Sequence, residues 1–280
     1  MTYDLIWSNG HIVSQESLRI SASDRAFEHG LGLFETFRTW NGHASTLTLN
    51  LGRLRRSAQF WNIVLDETSL PNHDAIQSLL SANGFQGDAV LRLTASGGSR
   101  TASVVWLQAK PLPPAFPPQG LTLIVSEQLI SQGNPTSTHK SLNYLNRRVA
   151  HDEAISQGAH EALLTSPHRQ VWEGSRSNIF AINKNKLLTP SAQGPLLRGV
   201  ARDLVIRVAE SLGLECEETA ITLVDLELMD EIFLTNAVRG VMPVACLRSF
   251  VRGAPGPWTC RISETLSNWL NSGRTSSWDW

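Results

Sequence analysis

Between Lys110 and Gly120 the chain reads KPLPPAFPPQG, and five of its 13 prolines fall there, from Pro111 to Pro118. Each proline fixes its own φ, lacks a backbone N–H and pushes the preceding residue out of the helical region. So dense a run excludes a helix and denies a sheet its ladder, which predicts a semi-rigid linker. Cut there, the 280 residues fall into two parts, 1–110 and 121–280, joined by 111–120. Each part is long enough to bury a core of its own.

Hydrophobic residues make up 41% and charged residues 18%, which supports full cores and excludes a disordered chain. A net charge of −1 excludes strong overall attraction to nucleic acid or to an anionic membrane. The histidines lack paired zinc spacing, and Cys216, Cys246 and Cys260 form no C-x-x-C. No metal is expected, and a reducing, cytoplasmic setting fits. The start, MTYDLIWSNG, has no basic region leading into an apolar one, and no apolar run nears membrane-spanning length.

Along the chain, Asn9-Gly10 predicts a hairpin and Asn41-Gly42 a second one. Leu47, Leu51, Leu54, Ala58 and Trp61 share one helical face. DAVLRLTAS and SVVWLQAK read as strands, and LTLIV, ALLTS, NIFAINKNKLL and EIFLTN follow beyond the linker. Between the last two lies a helix with Val200, Leu204, Val205, Val208 and Leu212 on one face. Frequent hairpins without strict βαβ alternation predict an α+β chain with mixed or antiparallel sheets.

Four places carry chemistry. In STHKSLNYLNRRVAHDEA, Leu142, Leu145 and Val149 predict an amphipathic helix with Arg147 and Arg148 off its apolar face. Lys140 then sits at the helix N-terminus, where the dipole opposes a cation and lowers the amine's affinity for its proton. That makes a nucleophile suited to covalent attachment to a carbonyl, although most lysines are simply solvated. Glu173, in VWEGSRSNIF, stands at a strand-to-turn junction where a carboxylate can hold a proton on a ring nitrogen. Gly199, before Val200 and Ala201, opens a helix whose N–H groups suit a phosphate, and TNAVRG offers a second polar turn. Arg53, between Leu51 and Leu54, suits bidentate phosphate binding, whereas Arg55 and Arg56 read as a solvated face. An amine nucleophile, a carboxylate for a ring nitrogen and several phosphate donors together match pyridoxal 5′-phosphate.

These residues, from DRAFEHGLGLFETFR to FLTNAVRGVMPV, resemble the class IV aminotransferases, the fold-type IV pyridoxal-phosphate enzymes. The resemblance implies a fold like that of D-amino-acid aminotransferase. It comprises a small N-terminal α/β domain and a larger C-terminal domain with mixed and antiparallel sheets. It implies pyridoxal phosphate as cofactor and a homodimer, with Lys140 as the catalytic, cofactor-carrying lysine. Tyr144 is implied at the cofactor's phenolic oxygen, Glu173 at its pyridine nitrogen, and Arg53 with the N–H groups of Val200 and Ala201 at its phosphate. Asn50 replaces the family's usual histidine with no expected chemical effect. Ala201 lacks a common threonine hydroxyl, a loss of ~1.5–3 kcal/mol at most.

TNAVRGVMPV resembles the lyase branch of the family, with Asn236 and Ala237 at the cofactor, and so does ASGGSR. The expected activity is therefore 4-amino-4-deoxychorismate lyase, which eliminates pyruvate to leave 4-aminobenzoate. Arg38, Arg100 and Arg239 are candidates for binding the substrate's carboxylates. The alternative is an aminotransferase of D-amino or branched-chain amino acids with 2-oxoglutarate. A third possibility is a non-catalytic binder of phosphorylated metabolites, which would need neither Lys140 nor Glu173.

Overall fold

The computed structural model describes residues 3–99, 103–247, 250–251, 253–273 and 275. It divides into two compact units. One takes in Met1–Pro113, Lys140–Asn143 and Trp269–Trp280, and the other Pro114–His139 and Tyr144–Asn268.

The first unit is built on a five-stranded antiparallel sheet. Its strand order is His11–Ser14, Leu5–Ser8, Val105–Pro111, Ala89–Ala95 and Leu33–Arg38. Asn9 and Gly10 have φ of 48° and 85°, the mirror-image turn that matches strand twist, so the expected hairpin forms. Asn41 and Gly42 also take positive φ, 49° and 81°, but close only a Trp40–His43 bridge. The chain then enters the helix Leu47–Phe60, so this is a tight turn and not a second hairpin. That helix buries Leu47, Leu51, Leu54 and Ala58, the face its periodicity predicts. The proline run does not wholly escape the sheet. Pro111 pairs with Ala89 as the last residue of its strand, where a missing N–H costs little.

Leu33–Arg38 is an edge strand, and Lys140–Asn143 lies along it. The Phe34 N–H donates to the Lys140 carbonyl at 2.9 Å and the Leu142 N–H to the Gly32 carbonyl at 2.9 Å, with Ser141 bridged to Leu33. Lys140 is therefore placed by a sheet edge, not by a helix.

The second unit holds a ten-stranded mixed sheet. Three pairs are parallel: Lys186–Thr189 with Glu215–Glu218, and Leu121–Leu129 with both Gly240–Leu247 and Glu161–Thr165. The remaining pairs are antiparallel, in keeping with the α+β expectation. Leu123, Leu163, Ile179, Leu234 and Met242 pack within its core. The helix Val200–Ser211 buries Val200, Leu204, Val205 and Val208 as its spacing predicts.

The helix after Lys140 departs from expectation. It spans Leu145–Ser156 with Tyr144 at its N-cap, and it buries Ala150, His151 and Ala154. Leu145 is 71% exposed and Val149 42%. Leu142 belongs to the bridged segment, so the apolar spacing read across both as one face joined two unlike pieces of backbone. Among the described residues no helix is long and apolar enough to cross a membrane.

Candidate active site

In the first unit, Lys140 points its ammonium at Phe34, with Nζ 4.5 Å from the ring centroid. The Arg92 guanidinium carbon lies 3.8 Å from the same centroid. Two cations thus meet one ring, Lys140 from the bridged segment and Arg92 from its own strand, each attracted to the ring quadrupole. Sequence reading missed Arg92. Its signal was the alternation in VLRLT, where a cation shares a strand with buried Leu91 and Leu93.

Arg53 is 6% exposed and bound to Glu35, which is 1% exposed. Its Nε donates to Oε1 at 2.8 Å and its Nη2 to Oε2 at 2.5 Å. Asn50 Nδ2 donates to the same Oε2 at 2.8 Å. Asn50 is therefore part of the hydrogen-bonded network around the arginine. Arg55 pairs with Glu67 at the surface, as expected of a solvated face. Arg38 is engaged by Asp88 at 2.8 Å, by the Thr39 carbonyl and by the Trp40 ring. Arg100 lies outside the described residues.

In the second unit, Glu173 lies at the end of the strand Gln170–Gly174 and is 1% exposed. Its Oε1 accepts from Arg147 Nη2 at 2.5 Å and its Oε2 from the Leu197 N–H at 3.2 Å. Burial works against the Arg147 cation, but the Glu173 carboxylate more than offsets it, and the guanidinium stands above its usual value. The sequence reading placed Arg147 only off the apolar face of its helix. Its spacing of three from Tyr144 was the available signal, because i and i+3 share a helix face. Tyr144 donates its hydroxyl to the Ser175 carbonyl at 3.3 Å. Burial pushes its phenol above the ordinary range, Arg147 opposes this, and Glu173 and Glu161 add to it.

Leu197, which holds Glu173, lies just ahead of the helix Val200–Ser211. The N-cap of that helix, Gly199, makes no side-chain cap, so the first N–H groups lack the usual side-chain acceptor. A Cβ on Gly199 would collide with Asn178 Oδ1, and Asn178 Nδ2 donates to the Leu197 carbonyl at 2.8 Å. Leu197 thus links the carboxylate to the helix start: its N–H holds Glu173 and its carbonyl holds Asn178. A glycine is required there by close approach alone.

Asn236 turns back on its own loop, its Oδ1 accepting from the Val238 and Arg239 N–H groups at 3.0 and 2.8 Å. Ala237 offers only backbone, and Arg239 Nη1 donates to the Pro114 carbonyl at 2.7 Å. Glu161 was not foreseen: it is buried and accepts from Ser175 Oγ at 2.5 Å and the Arg176 N–H at 2.7 Å. Among the described residues no group of three His, Cys, Asp or Glu could hold a metal ion.

A buried carboxylate linked to a helix start without a side-chain cap fits a heteroaromatic phosphate. A family model described as amino-transferase class IV matches residues 32–247. A putative branched-chain-amino-acid aminotransferase of Methanocaldococcus jannaschii is 31% identical over 251 residues, 85% of this chain and 86% of that protein. A D-alanine aminotransferase of Listeria monocytogenes is 29% identical over 277 residues, 91% of this chain and 92% of that protein. The solved branched-chain amino acid aminotransferase from Thermobaculum terrenum, in its PLP-bound holo form, superposes with a TM-score of 0.82. It is 26% identical, and the match covers 98% of this chain and 97% of that one.

Proposed function

The chain belongs to the class IV aminotransferases and is a pyridoxal-phosphate enzyme, and from that premise we propose that it moves an amino group from a branched-chain amino acid to 2-oxoglutarate. The lyase expectation gives way, because these relatives carry aminotransferase names while the lyase reading rested on two short loop motifs. The non-catalytic reading gives way to membership of an enzyme family. What carries the proposal is the buried Glu173 carboxylate tied through Leu197 to a helix start without a side-chain cap, in a chain whose relatives are transaminases.

When bound, the cofactor supplies an electron sink for the negative charge left at the substrate's α-carbon. Lys140 carries the cofactor and moves the proton at that carbon. Glu173 holds a proton on the pyridine nitrogen, and Tyr144 serves the phenolic oxygen. The Val200 and Ala201 N–H groups and Arg53 serve the phosphate, and Asn236 and Ala237 serve the cofactor as well. Arg92, sharing the Phe34 ring with Lys140, is the cation for a substrate carboxylate. It replaces Arg38 in that role, since Arg38 is committed to Asp88. Arg239 and Arg100 remain secondary contacts. A homodimer belongs to this reading, supported by the exposed Leu145 and Val149 on one helix. So does a reducing compartment, in keeping with an odd number of cysteines, Cys216, Cys246 and Cys260, that form no C-x-x-C.

The test is a panel of donors with 2-oxoglutarate. Glutamate should form from L-leucine or L-valine. Glutamate from D-alanine alone would move the specificity to the D-amino-acid branch. Release of 4-aminobenzoate and pyruvate from aminodeoxychorismate, with no exchange elsewhere, would overturn the proposal.

A further inference from the structure

Glu161 has no part in the roles above, yet it is buried, at the start of the strand Glu161–Thr165 that pairs with the strand carrying Glu173. One of its oxygens, Oε1, accepts two hydrogen bonds from the turn that follows Glu173. Ser175 Oγ donates at 2.5 Å and the Arg176 N–H at 2.7 Å. The same turn is tied by its backbone. The Gly174 N–H donates to the Ser177 carbonyl and the Ser175 N–H to the Ala162 carbonyl, each at 2.8 Å. Ser175 is fully buried, so its hydroxyl would be costly without an acceptor. Its carbonyl accepts the Tyr144 hydroxyl at 3.3 Å. Glu161 and Tyr144 thus meet on one residue, the first at its side chain and the second at its backbone. A carboxylate and the carbonyl oxygen of a neutral acid both accept, so the link does not depend on the charge of Glu161.

We propose that Glu161 is a positioning residue: by fixing Ser175 it fixes the carbonyl that receives the Tyr144 hydroxyl before the cofactor arrives. The inference rests on Tyr144 serving the cofactor's phenolic oxygen. At 3.3 Å the bond to Ser175 is long for a hydroxyl donor, and a bond to an ionised oxygen is roughly twice as strong as a neutral one. The Ser175 carbonyl therefore gives the hydroxyl up when the phenolic oxygen is offered. Glu161 acts by holding the phenol where that exchange needs little rearrangement.

The experiment first reads Tyr144 without cofactor. The chain has two tyrosines, Tyr3 and Tyr144, so carbon-13 labelling of tyrosine rings gives two sets of NMR signals, assigned with Tyr144→Phe. The full-length protein, freed of cofactor, is compared with Glu161→Ala, Ser175→Ala, their double variant and Glu161→Gln. Both single alanine variants should displace the Tyr144 signals, and the double variant should go no further than the larger of them, while Tyr3 stays in place. Glu161→Gln, whose amide oxygen accepts the same two bonds, should stay near wild type. Arg176, Arg239 and Tyr144 face the same carboxyl, and the glutamine separates its charge from its hydrogen bonds. Tyr144 signals unmoved in Ser175→Ala overturn the inference, as does a glutamine variant displaced as far as Glu161→Ala. Should Glu161→Ala fail to fold, Ser175→Ala and Glu161→Gln still decide it. The second readout is the affinity for pyridoxal phosphate by calorimetry. Glu161→Ala should bind it roughly 2- to 10-fold more weakly, the contribution of one hydrogen bond, and the loss should vanish in a Tyr144→Phe background. A loss of equal size in that background overturns the inference. Tyr144→Phe binding as tightly as wild type refutes the role given to Tyr144, while the cofactor-free spectra still judge the link from Glu161. A wild type that takes up no pyridoxal phosphate refutes the functional reading.

Discussion

Glu35 grips Arg53 through two side-chain hydrogen bonds while Asn50 donates to the same carboxylate, and all three side chains are buried. The phosphate-binding arginine of the proposed site is thus fixed by an acid from a strand that precedes its helix in the chain. Replacing Glu35 by Gln removes the negative charge that faces the buried guanidinium. Breaking a buried pair from one side costs about 3–5 kcal/mol. Urea unfolding of Glu35→Gln should show a loss of that order, together with weaker pyridoxal phosphate retention on dialysis. A variant as stable as wild type would show that the pair contributes nothing.

Lys140 should be the point of covalent attachment. Borohydride treatment of the purified protein is expected to fix pyridoxal phosphate on the peptide containing Lys140. Lys140→Ala should trap none and should lose amino exchange by about 10²–10⁴-fold, the usual worth of a positioned acid–base group. Trapping on another lysine would displace Lys140 from its role.

Gly199 tolerates no side chain. A Cβ there runs into Asn178 Oδ1, and Asn178 is tied to Leu197. Gly199→Ala must shift either the helix start or Asn178, a steric cost of roughly 1–3 kcal/mol. Denaturation midpoints should show this loss. Removing the obstruction with Asn178→Ala in the same chain should recover part of it.

His151 gives an acid-side signature. Its Nδ1 has no hydrogen-bond partner among the described residues, and burial, aided by Arg176, holds the imidazole down to about 4. The unfolded chain binds the proton more tightly, near 6.5. His151 therefore contributes stability that is complete above pH 6.5 and is lost as pH falls through 4. The side chain keeps some contact with solvent, so the loss should be about 1–3 kcal/mol. His151→Leu should flatten unfolding stability across that window. An unchanged slope would assign it to another group.

Local features of the chain were legible where their physics is local. Asn9-Gly10 adopts the positive φ values that a two-residue hairpin demands, and those are properties of two residues. The helix Val200–Ser211 buries the apolar stripe its spacing spells out, because 3.6-residue periodicity is contained within the helix itself. Glu173, Arg53 and Gly199 stood out as residue types that sit uneasily in inert structure, and each is buried or closely packed in the fold.

The surroundings of those residues were not legible, because they are made by segments distant in sequence. Lys140 looked like a cation at a helix end, yet it lies on the edge of a strand whose residues come far earlier in the chain. Arg147 read only as lying off an apolar helix face, and its partner came with the strand that carries Glu173. Periodicity and turn chemistry act over a few residues and are written in order along the chain. Which cation neutralises a buried acid, and which strand edge receives a lysine, depends on pairings that form only when distant segments pack together.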